Sequence, residues 1–390
     1  MEGGVSRDEL IQLMLCQLSE YGFSNLSQAI ATHTKVPMTA DSNSRLAELV
    51  RLGLQSERGR AGAGAGAGAG ADEDAGAGAE LRYQERWRVG HKGAATAAAF
   101  SGDGRYVATG AADASLKLID VDRARDGEAV LRTLHHGDGG SGGGAVTGVA
   151  FHPNGLVLAS CSADQTLRLF DLSAAHGRAS FQGFRDSHAL RSLAFHPSGD
   201  YIAAGGDGPE VRLYAVRTGD AYLLPPGPAQ HAAGIAHVTY SGSGAAIASA
   251  SRDGAVRIWD GASGRCVQTI ARAHGGEPAT SVAFARDGRH VLSAGLDSAV
   301  RLWDASSGRL VREYAGADVA ANAVFSHDAA LVLAPDAAAS AVAAWDAASG
   351  RLLGRIAGGS QRVTWVAASP AAAGLVACSA DGGVSCWDRA

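Results

Sequence analysis

The chain has 390 residues, a formal net charge of −5, 46% hydrophobic and 19% charged residues, which fits one large folded domain with a small companion and excludes a surface that tracks nucleic-acid phosphates throughout. Lys35, Lys92 and Lys117 are the only lysines, an imbalance that a GC-rich genome explains without selection for RNA-binding arginines. The five cysteines include no C-x-x-C pair, so neither a disulfide framework nor a zinc finger is expected. There is no secretory pattern and no 18-residue apolar run, which predicts a soluble intracellular protein without a membrane span.

In chain order, the first pattern is helical. Ser6-Arg7-Asp8-Glu9 has the S-x-x-E form of a capping box, which offers acceptors to the free N–H groups of a first turn. Leu10, Ile11, Leu13, Met14, Leu15 and Leu18 follow, and Gly22 suits a left-handed cap. A second short helix carries Leu26, Ala29 and Ile30, and a third carries Leu46, Leu49, Val50 and Leu52. The first helix has more apolar surface than one stripe needs, and three short helices make a thin core alone. The reading is an all-α homodimerisation domain over residues 1–58. Residues 59–80 are dominated by AGAGAGAGAG and ADEDAGAGAE, a flexible spacer rather than a nucleotide-binding loop, because no strand precedes and no amphipathic helix follows its glycines.

Residues 81–390 change period again. In LRYQERWRV at 81–89, Leu81, Tyr83, Trp87 and Val89 alternate with polar residues, which predicts a strand. Then LKLID (116–120), LRLFD (167–171), VRLYA (211–215), VRIWD (256–260), VRLWD (300–304), VAAWD (342–346) and VSCWD (384–388) recur at intervals of 51, 44, 45, 44, 42 and 42 residues. Repetition at this period is what a β-propeller leaves in a sequence. The fold class is therefore an all-β seven-bladed propeller with a small all-α N-terminal domain. Since the chain ends at a Trp-Asp strand, the missing outer strand of the last blade must come from the other end, and 81–89 is predicted to close the ring beside 384–387. The one long interval contains HGDGGSGGGA at 136–145, read as a surface loop.

Each unit carries an Asp before its terminal residue: Asp113, Asp164, Asp207, Asp253, Asp297, Asp336 and Asp381. His91, His136, His188, His231 and His274 open five of them. The expected arrangement is a buried network in which the turn Asp accepts from the His and from backbone N–H groups, completed by a Ser or Thr and the Trp indole. These residues are therefore assigned to structure. No H-E-x-x-H helix or phosphate-binding loop is present. Gly139-Gly140-Ser141-Gly142-Gly143 fits G-x-S-x-G only formally, and His135-His136 has no third ligand. No enzyme, cofactor or metal is expected, and the default is a protein-docking scaffold.

The units resemble WD repeats, most fully at His231, Ser249, Asp253, Trp259 and Asp260, with His274, Asp297 and Trp303, and Asp381 and Trp387, in the later blades. Ile119, Phe170 and Tyr214 depart from the Trp position, and the last two units lack the His. More specifically, GRYVATGAADASLKLID, LRTLHHG, GLVLASCSADQTLRLFDLS, LRSLAFHPSGDYI and the helical LIQLMLCQLSEYGFSNLSQAI are similar to the 50-kDa WD-repeat subunits of cleavage stimulation factor. The resemblance implies a non-catalytic nuclear subunit in pre-mRNA 3′-end cleavage and polyadenylation. It implies a homodimer formed through Leu10, Leu15, Leu18, Tyr21, Phe23 and Leu26, and a propeller joined to a helical-repeat scaffold subunit, which carries the RNA-recognition subunit and so reaches RNA indirectly. The replaced linker and shortened loops are departures from that family. Helix pairs on WD propellers of splicing factors and ubiquitin-ligase receptors give the alternative role.

Overall fold

The computed structural model describes residues 82–126, 129–137, 143–173, 180–225, 230–319, 321–357 and 361–389. Residues 1–81 lie outside them, and with them the predicted helices, linker and dimer residues and Leu81 of the predicted closing strand.

Seven four-stranded antiparallel sheets follow one another. In blade 1 the strands are a (Ala95–Phe100), b (Tyr106–Ala111), c (Ser115–Asp120) and d (Val130–His135), with d outermost. Blades 2 to 6 repeat the order over 146–185, 190–223, 235–270, 279–314 and 324–357. Blade 7 takes strands a to c from 363–389 and its outermost strand from Tyr83–Gly90. The register runs Tyr83 against Arg389 to Gly90 against Gly383 and shifts between Glu85 and Trp87, so Arg86 is an extra, exposed residue of a bulge. That shift lets Trp87 and Val89 both turn inward, where they are buried with Val384 and Cys386. The length added in the first interval is divided between two connections: 121–129, which holds a short 3-10 helix at Arg123–Asp126, and 136–145. The latter is not wholly surface, because its first residue, His136, is fully buried.

Strand b of each blade is almost wholly buried, which explains sequences such as VLASCS and AIASAS with small residues on both faces. The cores form between neighbouring blades, as where Trp303 packs with Ala248, Val256 and Ile258 of the preceding sheet. Side chains near the axis then tie each blade to the next backbone. Thr96 donates to the Val146 carbonyl, Thr147 to Leu190, Thr280 to Ala321 and Thr364 to Ala95. Ser192 accepts from the Val238 N–H, Ser281 from Ala323 and Asn322 from Val366, while Trp365 donates to the Ala98 carbonyl. Among the described residues, six of the seven joints thus carry at least one such tie. A closed ring gains from each of them, because a single open joint would expose the apolar faces packed between two blades.

Candidate interaction face and the blade networks

The b-to-c turn of each blade meets the chain entering that blade's strand a on one face of the ring, and the residues joining them decide how rigidly that face is held. Blades 4 and 5 have the complete set. The Trp259 indole donates to Ser249 Oγ at 2.9 Å, Ser249 lies 2.7 Å from His231 Nε2, and His231 Nδ1 lies 3.0 Å from Asp253. A carboxylate can only accept, so the His donates through Nδ1 and receives the Ser hydroxyl at Nε2. Asp253 also accepts the N–H groups of Ala232 and Ala255. Blade 5 repeats this with Trp303, Ser293, His274 and Asp297, to which Arg301 adds an ion pair.

Burial lowers all four network histidines, His91 and His136 to about 4, so the rings are neutral at pH 7. For Asp253 burial acts to raise the carboxyl, but the His231 hydrogen bond and the two backbone N–H groups outweigh it and hold it well below the ordinary range.

The other blades meet the same demand with different chemistry. In blade 1, Ser115 stands between His91 and Asp113, and Thr109 takes the other ring nitrogen. In blade 2, Thr166 links His136 to Asp164, and Ser160 bonds Nδ1. Blade 3 corrects the expectation for His188: that side chain does not enter the core but bonds the exposed Ser187. Asp186 occupies the position instead, accepting the Tyr214 hydroxyl and the N–H groups of Ser187 and His188, beside Arg212 at 3.2 Å. Asp207, expected as the turn residue, makes a two-point contact with Arg191 and pairs with Arg252 of blade 4. Asp186 could have been found from Tyr214, since a phenol in place of an indole can donate directly to a carboxylate. In blade 6 the buried Asp336 takes Arg355 at 2.7 Å, and the Trp345 indole donates to the Ala315 carbonyl. In blade 7, Asp381 accepts Ser379 and the Gly383 N–H, while Trp387 donates to Ser385.

At the axis a cavity of about 300 Å³ is lined by inner-strand residues of blades 1 and 4 to 7, with no charged side chain among them. His237 and Trp365, from non-adjacent blades, approach there with ring centroids 5.6 Å apart. Among the described residues, no group of three or more His, Cys, Asp or Glu is arranged to hold a metal ion.

The WD domain, G-beta repeat profile matches residues 84–120, 129–171, 179–214, 228–260, 264–304 and 350–388. It passes over the inner strands of blade 6, the blade in which Arg355 of the outermost strand bonds the turn Asp336 in place of a His. Cleavage stimulation factor subunit 50 of Arabidopsis thaliana is 32% identical over 315 residues, covering 73% of this chain and 72% of the relative. The chain belongs to the WD-repeat family of cleavage stimulation factor subunit 50. That family is one of non-catalytic scaffold proteins. Similarity to other WD proteins is narrower. Pre-mRNA-processing factor 19 of Dictyostelium discoideum is 28% identical over 35% of this chain and 24% of its own, and transcription initiation factor TFIID subunit 5 of Caenorhabditis elegans is 28% identical over 51% and 28%.

Proposed function

We propose that this chain is a scaffold subunit of a nuclear cleavage stimulation complex and supports pre-mRNA 3′-end cleavage and polyadenylation without catalysing either. The observation that carries this reading is the extent of the match, which spans nearly three quarters of both chains, whereas the splicing and transcription relatives match only part of their own length. The ring supplies a rigid docking platform for a helical-repeat scaffold subunit, and through it for the RNA-recognition subunit. Residues 1–58 form the homodimerising domain and 59–80 the spacer, with Leu10, Leu15, Leu18, Tyr21, Phe23 and Leu26 at the dimer contact. Two copies per assembly would raise the effective concentration of paired RNA-binding subunits on one transcript.

The test is depletion and add-back. Removing the chain from a nuclear extract should abolish cleavage of a reporter pre-mRNA, and adding back the full chain should restore it, whereas the Leu15→Asp variant should be monomeric and restore it poorly. Unimpaired cleavage after depletion would overturn the reading. A dimeric Leu15→Asp variant would overturn the assigned contact.

A further inference from the structure

Exposed aromatic side chains are unevenly placed on this ring. Among the described residues, those substantially exposed are Phe181 at 55%, Tyr201 at 43% and Tyr222 at 51%, all in blades 2 and 3. Three features gather them at one end of those blades. Tyr201 begins strand b of blade 3 opposite Ala215, and Tyr222 lies in strand d next to Ala221, which pairs with Tyr214. The Ala215 N–H donates to the Asp220 carbonyl and the Val216 N–H to the Asp200 carbonyl, which brings both aspartates to the same end as the two tyrosines. The Gln182 amide of blade 2, adjacent to Phe181, packs on the same turn at Gly219.

The electrostatics of this end have a sign. Asp200 and Asp220 are exposed, and among the described residues neither enters an ion pair. The Tyr222 hydroxyl donates toward Asp220 at 3.4 Å, and the Asp220 charge, with a smaller contribution from Tyr201, raises that phenol above its ordinary range. Arg217 is the cation of the turn, so the aspartates leave an excess of negative charge. Strand d here is only Ala221–Leu223, exposed at every position, with a free outer edge. Phosphate-bearing nucleic acid needs the opposite field. Aromatic faces beside unpaired carboxylates suit guanidinium groups, which stack on rings and bond carboxylates, and a bare edge suits an extended chain.

We propose that Phe181, Tyr201 and Tyr222, flanked by Asp200 and Asp220, form a docking surface for an extended, arginine-bearing apolar segment of a partner protein. The assignment is independent of which complex the chain serves, so its failure would leave the cleavage-factor reading intact.

Fluorescence anisotropy of the full chain tests it with three labelled probes: a peptide of repeated Arg-Pro-Leu, its Glu-Pro-Leu counterpart and a uridine oligonucleotide. The arginine peptide should bind at least about tenfold more tightly than either other probe. The double variant Tyr201→Ala with Tyr222→Ala, and separately Asp200→Asn with Asp220→Asn, should each weaken it by about tenfold or more, with unchanged melting temperature. Leu310→Ala, an equally exposed residue in blade 5, should leave binding as it is. Absence of binding up to about 1 mM, equal binding of the two peptides, tighter binding of the oligonucleotide, or variants that bind as the parent does would each overturn the proposal.

Discussion

Blades 4 and 5 and blades 3 and 6 place a buried carboxylate where the incoming chain meets the sheet, by unlike means. In blades 4 and 5 a Trp, a Ser and a neutral His relay hydrogen bonds to a carboxylate, as in the Trp259 to Asp253 series. In blade 3 a Tyr reaches Asp186 directly, and in blade 6 an Arg pairs with Asp336. What is constant is a carboxylate, held at 12% side-chain exposure in Asp253, 2% in Asp186 and 1% in Asp336, that gathers backbone N–H groups. The repeat therefore specifies a task for a buried acceptor, and the donor is free to vary.

The largest effect should come from outside the networks. Deleting residues 82–89 removes the outer partner of 383–389 and uncovers Val384 and Cys386, and the product should aggregate on expression. An equally soluble deletion protein with unchanged melting temperature would show that the ring does not depend on that strand.

Next, Asp186→Asn and Asp253→Asn should destabilise the chain by similar amounts, on the order of 3 kcal/mol each in urea titration, because both leave buried partners without their charge. A loss confined to Asp253→Asn would break the equivalence of the two solutions.

The pH response should mark the blades whose network contains a buried His. His91 and His136 titrate near 4 in the folded chain against 6.5 ordinarily. Between those values the unfolded chain binds the protons and the folded chain does not, so acid favours unfolding. Stability should be level above about pH 7, fall from about pH 6.5 towards 4, and lose the carboxylate contributions only below that. Urea midpoints at pH 7.5 and 5 should differ clearly for the parent and less for a His91→Gln, His136→Gln variant. An identical difference would place the sensitivity elsewhere. The smallest change is Thr280→Val, which removes one hydroxyl tie at the joint between blades 5 and 6, where Ser281 supplies another. It should cost about 1 kcal/mol.

The seven blades and the closing strand were legible because period and alternation are set by the sheets themselves. Trp387 and Trp87 lie on the paired strands that end and begin the ring. Blade 3 was less legible. His188 stands where a network His is expected, and only packing shows that the ring stays outside while Asp186, two residues earlier, turns in. The ties near the axis were hidden for a related reason: Thr96, Ser192 and Asn322 are unremarkable singly, and their partners lie 50, 46 and 44 residues further on, in the next blade. The exposed aromatics of blades 2 and 3 alternate like any core residue, so their exposure became visible only with the outer strands in place.

Affinity purification of the tagged full chain from nuclear extract, with nuclease treatment before mass spectrometry, tests whether the chain is a scaffold of the cleavage complex. The expected result is recovery of a helical-repeat scaffold subunit together with an RNA-recognition subunit. Recovery of ligase or splicing components in their place would contradict it.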